Sequence, residues 1–96
     1  MNDKISRILD GSSMWTNSYS LEQTGEFLQE VRKSKGLRQQ EFASRIGVSH
    51  TTLSNLEQGK NTSTQTLARA LQQLGLRIVI VPKDASVTVD EGGTRW

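Results

Sequence analysis

Hydrophobic residues recur every three or four positions between residues 20 and 75, and this spacing predicts a bundle of four α-helices. The first helix is predicted to begin after Ser20, which stands three residues before Gln23, the spacing of a capping box. In such a box, each side chain accepts a hydrogen bond from the backbone N–H of the other residue. Gly36 is expected to end this helix. Its predicted apolar face comprises Leu21, Thr24, Phe27, Leu28 and Val31.

Two short helices are predicted next. One covers about residues 39–46 and ends at Gly47, since glycine suits the left-handed conformation that closes many helices. The other covers about residues 50–57 and is capped by Ser49, whose side-chain oxygen can accept a backbone N–H. Glu57 is expected to be structural and to pair with a cation. The predicted buried residues are Phe42, Ala43, Ile46, Leu53 and Leu56.

A fourth helix follows a polar loop. Thr62 and Gln65 again have capping-box spacing, so the helix is predicted to start there. Gly75 is expected to end it. The apolar stripe comprises Leu67, Ala70, Leu71 and Leu74.

The hydrophobic pattern changes at residues 76–83. Four consecutive β-branched residues, apolar on both faces, predict a β-strand; they are Ile78, Val79, Ile80 and Val81. No second strand is predicted in the chain, and a lone strand leaves its backbone groups unsatisfied. The same strand of a second copy would supply the partner, so we expect a homodimer. The alternative is a strand that lies unpaired against the helices.

The chain therefore divides into four predicted segments. Residues 1–19 form an amino-terminal extension, and residues 20–75 form the helical domain. Residues 76–83 supply the dimerisation strand, and residues 84–96 form a polar, flexible tail that ends in Trp96. The predicted fold class is all-α, with one carboxyl-terminal strand that pairs across a homodimer.

The net charge of +2 is unevenly distributed. Residues 26–83 carry nine basic and four acidic side chains, a net charge of +5, whereas residues 84–96 carry three acidic and one basic, a net charge of −2. A basic body favours a polyanionic partner, because binding releases counterions. The alternative is that the charge only keeps the surface soluble.

Composition argues against several functions. The absence of cysteine excludes disulfides and thiolate metal sites, and a single histidine leaves most metal centres without ligands. His50 and Ser54 lie four apart on one helix without an orienting carboxylate at useful spacing, so no catalytic site and no cofactor are expected. No apolar run reaches the roughly 18 residues that span a bilayer, and the amino terminus lacks a secretory signal. A cytoplasmic protein is expected.

The two short helices and the glycine turn between them have the spacing of a helix-turn-helix, whose second helix enters the DNA major groove. The third helix carries small polar side chains where a solvated helix usually carries Lys and Glu. Such side chains can meet base edges at little entropic cost. His50 could instead be an inconsequential surface residue, and Asn55 could bond within its own helix. The expected contact residues are Ser49, His50, Thr51, Ser54 and Asn55.

The sequence resembles the Xre/Cro family of bacterial and phage repressors, most clearly in the stretch LRQQEFASRIGVSHTTLSNLEQGK. Residues 20–75 follow that family's pattern. Arg38 departs from it, since the family commonly has Ser or Thr there as a helix cap; the change costs about 1 kcal/mol and adds a cation near the phosphates. The resemblance implies DNA contacts by Gln39, Gln40, Ser49, His50, Thr51, Ser54, Asn55, Lys60 and Asn61. Arg38 is a further candidate contact because of its charge, and the resemblance leaves open whether it touches DNA.

Within this family the chain is most similar to HipB-type antitoxins. The shared features are the segment before the motif, the single strand after it, and an acidic tail that ends in tryptophan. The resemblance implies a homodimer that binds a palindromic operator and represses its own operon, and hence a cytoplasmic protein associated with the bacterial nucleoid. It also implies that the protein binds a HipA-type Ser/Thr kinase toxin, with Trp96 docking on that partner. The alternatives are a stand-alone phage-type repressor without a toxin and a protein-interaction adaptor that does not touch DNA.

Overall fold

The computed structural model describes residues 15–90 and 93–95. Four helices and a short antiparallel hairpin follow one another along this part of the chain. The prediction of four helices is confirmed, and the second and third have the predicted bounds. The elements are α1 (Leu21–Ser34), α2 (Gln39–Ile46), α3 (His50–Glu57), α4 (Thr64–Leu74), β1 (Thr88–Asp90) and β2 (Gly93–Arg95).

The core lies where α1 and α2 pack against α3 and α4. Each fully buried aliphatic or aromatic side chain contributes about 1.5–3 kcal/mol through the hydrophobic effect. Leu21 departs from the prediction because it is 45 % exposed, one turn before the buried part of α1. The buried apolar residues are Phe27, Leu28, Val31, Phe42, Ala43, Ile46, Leu53, Leu56, Ala70 and Leu74, with Leu67 and Leu71 packed partly against them.

The first helix cap is confirmed in one half only. The Ser20 Oγ accepts a hydrogen bond from the Gln23 N–H, as predicted. The Gln23 Oε1 instead accepts from the Tyr19 N–H at 2.6 Å, one residue earlier than a capping box requires. The Gln23 side chain therefore anchors the residue before the cap rather than the cap itself.

The predicted start of the fourth helix is wrong by one residue. Ser63, not Thr62, is the N-cap, and its Oγ accepts from the Thr66 N–H at 3.0 Å. Thr62 Oγ1 is buried without a hydrogen-bond partner. Both residues are of types that cap helices, so spacing to Gln65 alone did not identify which one adopts the cap conformation.

Gly25 of α1 lies directly against the backbone at the end of α3. A Cβ atom on Gly25 would lie 2.3 Å from the carbonyl oxygen of Leu56 and 2.8 Å from that of Glu57. Only glycine allows the two backbones to come this near. This role of Gly25 was not predicted, since a glycine within a helix does not indicate which residues of another helix lie opposite it.

Residues 76–87 contain neither helix nor strand in the single chain. The predicted strand at Ile78–Val81 is therefore not formed within one copy, and its pairing across two copies stays a prediction. The expectation that the chain has no other strand is wrong. The tail, predicted to lack regular structure, forms a hairpin in which Thr88 pairs with Arg95, Val89 with Thr94 and Asp90 with Gly93.

The same irregular segment borders a cleft of about 730 Å³, whose other wall is residues 15–19. Ile78 and Ile80 are 57 % and 89 % exposed beside it. Within the described residues, no helix has both the length and the apolar character needed to cross a membrane. Trp96 and residues 1–14 lie outside the described part of the chain.

Candidate nucleic-acid interface

The turn between α2 and α3 is held by glycine and by a serine cap. Gly47 has a φ of +75°, in the left-handed region that other residues adopt at a cost. The next N–H, from Val48, donates to the Ala43 carbonyl at 3.0 Å and so closes α2. The Ser49 Oγ accepts from the Thr52 N–H at 3.0 Å and starts α3. These local bonds set the direction in which α3 leaves the turn.

The helix α3 has one buried face and one outer face. Leu53 and Leu56 are buried in the core, and the one charged residue of α3, Glu57, is buried with them. The outer face carries no Lys, Arg, Asp or Glu and consists of hydroxyl, amide and imidazole groups. We call it the polar surface of α3; its residues are Ser49, His50 and Thr51, which are exposed, and Ser54 and Asn55, which are half-buried.

Glu57 forms a buried ion pair with Arg32 of α1. The Arg32 Nε lies 2.6 Å from Glu57 Oε2, and Arg32 Nη2 donates to Glu57 Oε1 at 3.2 Å. The remaining guanidinium nitrogen, Nη1, donates to the Leu37 carbonyl at 2.6 Å. This two-point contact confirms the prediction that Glu57 is structural and pairs with a cation. It ties the last turn of α3 to α1.

Gln39 connects the Arg32–Glu57 ion pair to the polar surface of α3 through two hydrogen bonds. Its Nε2 donates to Glu57 Oε1 at 2.8 Å, and its Oε1 lies 2.5 Å from the His50 Nε2. The first residue of α2 is therefore bonded both to the last residue of α3 and to the first. Gln39 was predicted to contact DNA. Its bonds to Glu57 and His50 were not predicted, because they join residues far apart in sequence.

The other predicted contact residues lie at the ends of α2 and α3. Arg38 and Gln40 are exposed at the amino end of α2. Arg38 makes no side-chain cap bond, which confirms the prediction that α2 lacks the cap that Ser or Thr would supply at this position. Lys60 and Asn61 are exposed just after α3. Lys60 closes that helix through its N–H, which donates to the Asn55 carbonyl at 2.8 Å.

The groups on the polar surface of α3 are suited to hydrogen bonding with bases. In the part of the chain that the structure describes, no three His, Cys, Asp or Glu side chains cluster closely enough to hold a metal ion. The polar surface of α3 offers short donors and acceptors that match the hydrogen-bonding edges of bases. The cations Arg38, at the amino end of α2, and Lys60, just after α3, can meet phosphates.

A helix-turn-helix with such a second helix defines a DNA-binding domain of the repressor class. Comparison with known sequences agrees, since the helix-turn-helix family matches residues 28–81. The chain belongs to the Xre/Cro-type helix-turn-helix family of DNA-binding repressors.

Two kinds of relative are similar to this chain. One is the ImmF control region 10 kDa protein of Bacillus phage phi105, which is 36 % identical over 70 residues, 72 % of this chain and 78 % of that protein. The others are solved structures, among them a HipA-HipB-O2-O3 complex and a HipB-O4 20mer complex. A chain of each is 31 % identical with a TM-score of 0.66, and the likeness covers 73 % of this chain and 100 % of that chain.

Proposed function

We propose that this protein is a sequence-specific transcriptional repressor that binds a palindromic operator as a homodimer and acts as the antitoxin of a HipA-type Ser/Thr kinase. The observation that carries the DNA-binding part is the polar surface of α3. A helix whose one charge is buried and whose outer face bears only small polar groups and an imidazole is suited to a groove lined with bases. The proposed site comprises this surface with Arg38, Gln39, Gln40, Lys60 and Asn61.

Salt dependence tests the DNA-binding proposal. The affinity of the protein for duplex DNA from its own promoter is expected to fall steeply with salt, with log K falling by about 0.9 for each phosphate neutralised per unit of log salt. Fluorescence anisotropy of a labelled duplex at several salt concentrations measures this slope. An adaptor that does not touch DNA would show no salt-sensitive binding.

Thr51→Ala tests whether the polar surface reads bases. Its loss is expected to reduce the preference for the promoter duplex over a scrambled duplex by about 1–3 kcal/mol, the contribution of one base contact. Gln73→Ala is the matched control, because it also trims an exposed uncharged side chain, but on α4. Equal preference in the wild type and the Thr51 variant would remove Thr51 from the contact set.

The homodimer is supported by exposed aliphatic residues in the segment 76–83. Ile78, Val79 and Ile80 are 57 %, 39 % and 89 % exposed in the single chain, and none of them belongs to a strand in the part of the chain that the structure describes. A second copy that pairs along the same residues would cover them. A palindromic operator with half-sites one helical turn apart requires the two copies of α3 in such a dimer to lie about 34 Å apart.

Ile80→Asp is expected to convert the dimer to a monomer. The side chain is largely exposed in one copy, so the charge leaves the fold of that copy intact but is buried without a partner in the dimer. Sedimentation equilibrium measures the mass. Leu21→Asp, which places the same charge at a 45 % exposed leucine on α1, is expected to remain dimeric. A dimer that survives Ile80→Asp would show that the junction lies elsewhere.

The antitoxin part of the proposal is supported by the likeness to HipB, whose structures are described with HipA and with 20mers. The phage relative favours the second candidate, a stand-alone repressor. A pull-down of the full chain against a kinase-fold protein encoded beside its gene separates the two. Capture of the kinase, and its loss when Trp96 is deleted, are the results expected of an antitoxin; a kinase that is not captured would favour the stand-alone repressor.

A further inference from the structure

Hydrogen bonds connect Glu57 to Gln39 and Gln39 to His50, and the Glu57 carboxylate determines which group donates in each bond. The Glu57 carboxylate, paired with Arg32, has only acceptors to offer. Gln39 must therefore turn its NH₂ group toward Glu57, and this leaves its carbonyl oxygen facing His50. The orientation of the Gln39 amide follows from its neighbours.

The orientation of the Gln39 amide in turn determines which nitrogen of the His50 imidazole carries the hydrogen. The Gln39 Oε1 can only accept, so the hydrogen between the two side chains lies on the His50 Nε2. A neutral imidazole carries one N–H, and its other nitrogen is then an acceptor. Nδ1 of His50 has no hydrogen-bond partner among the described residues, and His50 is an exposed residue at the first position of α3.

We propose that Arg32, Glu57 and Gln39 position His50 so that its Nδ1 is presented to DNA as an acceptor, which makes His50 select a base with an exocyclic amine on the strand that it contacts. This inference rests on the proposed function. Gln39 is in this account a positioning residue that acts on DNA through His50.

The groups that each base presents in the major groove determine which bases an acceptor on His50 would prefer. Adenine presents its N6 amine and cytosine its N4 amine, both donors, whereas guanine and thymine present acceptors at the corresponding positions. Inverting a base pair moves the amine to the other strand. His50 is therefore expected to prefer A·T over T·A and C·G over G·C at one position of each half-site, a preference for amino over keto bases.

Selection from a random duplex library tests the preference. Wild-type protein is expected to enrich amino bases at one position, and Gln39→Met is expected to reduce that enrichment about tenfold while the other positions stay selected. Methionine has a similar length but cannot accept the imidazole hydrogen. Gln73→Met is the matched control, since it makes the same exchange at an exposed glutamine of α4, outside the proposed site, and should leave that position's preference unchanged.

A spectroscopic readout does not depend on DNA. His50 is the chain's one histidine, so its ring nitrogens give unambiguous ¹⁵N signals. Wild-type protein is expected to show a protonated Nε2 with a slowly exchanging hydrogen, an unprotonated Nδ1, and loss of the slow exchange in Gln39→Met. Circular dichroism checks that the variant folds.

Three results would overturn the inference. They are a protonated Nδ1 in the neutral ring, a preference for keto bases, and an amino-base preference that survives Gln39→Met. The failure of the proposed function looks different, because wild-type protein would then enrich no sequence and show no salt-sensitive binding at all.

Discussion

A Glu57→Ala variant is expected to lose about 3–5 kcal/mol of folding free energy, because it leaves the Arg32 guanidinium buried without its counter-charge. The side chains of the two residues are 5 % and 2 % exposed, so water cannot replace the lost carboxylate without opening the packing of α1 on α3. Denaturant unfolding followed by circular dichroism measures the change. A loss of this size would remove a large part of the stability of a small domain.

Glu41→Ala provides the matched control. Glu41 also pairs with an arginine, Arg45, but at 3.1 Å on the surface, with side chains 43 % and 48 % exposed. Such a pair contributes about 0.3–0.5 kcal/mol, so its removal should have little effect on stability. If the two glutamate variants were equally stable, the buried pair would not hold α3 to α1 in the manner described.

A Gly25→Ala variant is expected to be destabilised by about 3 kcal/mol, the opposite sign to the effect of the same change in an open helix. Helix propensity alone would stabilise the variant by about 1 kcal/mol, since alanine is the better helix former. The new Cβ would however stand 2.3 Å from the Leu56 carbonyl oxygen, a backbone atom that cannot rotate away. Thermal and denaturant unfolding measure the change.

Gly36→Ala separates steric clash from backbone strain. Gly36 has a φ of +72°, and no atom lies within 4 Å of the position that a Cβ would occupy. The alanine variant therefore bears only the strain of the left-handed conformation, about 1–2 kcal/mol. Stabilisation by Gly25→Ala would mean that α1 and α3 do not approach each other as closely as described.

Local signals in the sequence were enough to predict the helices. The apolar period, a serine cap at Ser49 and a glycine end at Gly47 act within a few residues, so α2 and α3 were predicted with their observed bounds. Where two cap types stood side by side, at Thr62 and Ser63, local signals did not discriminate, and the wrong one was chosen.

Long-range contacts were beyond local reasoning, although a trace of them exists. Arg32 stands four residues after buried Leu28, and Glu57 stands four after buried Leu53, so both charges fall on apolar stripes. Two opposite charges at core positions of different helices are the signal from which a buried pair could have been inferred. The hairpin of the tail has no comparable signal, since residues 84–96 are mostly polar.

The sequence was enough to predict which residues form the polar surface of α3, but not which side chains bond to one another there. The polar surface of α3 follows directly from spacing, because Leu53 and Leu56 fix the buried face and leave the other residues outside. The part of Gln39 could not be predicted in this way. Its bonds to Glu57 and His50 depend on how α2 and α3 cross, which is a property of the folded chain.

The most direct test of the central claim is to map the DNA-contacting surface by NMR. Adding promoter duplex to ¹⁵N-labelled protein is predicted to shift the backbone amide signals of residues 49–55 most strongly, while those of residues 68–73 on α4 change little. Amide shifts confined to α4, or no shifts at concentrations where anisotropy reports binding, would contradict the claim that the polar surface of α3 enters the major groove.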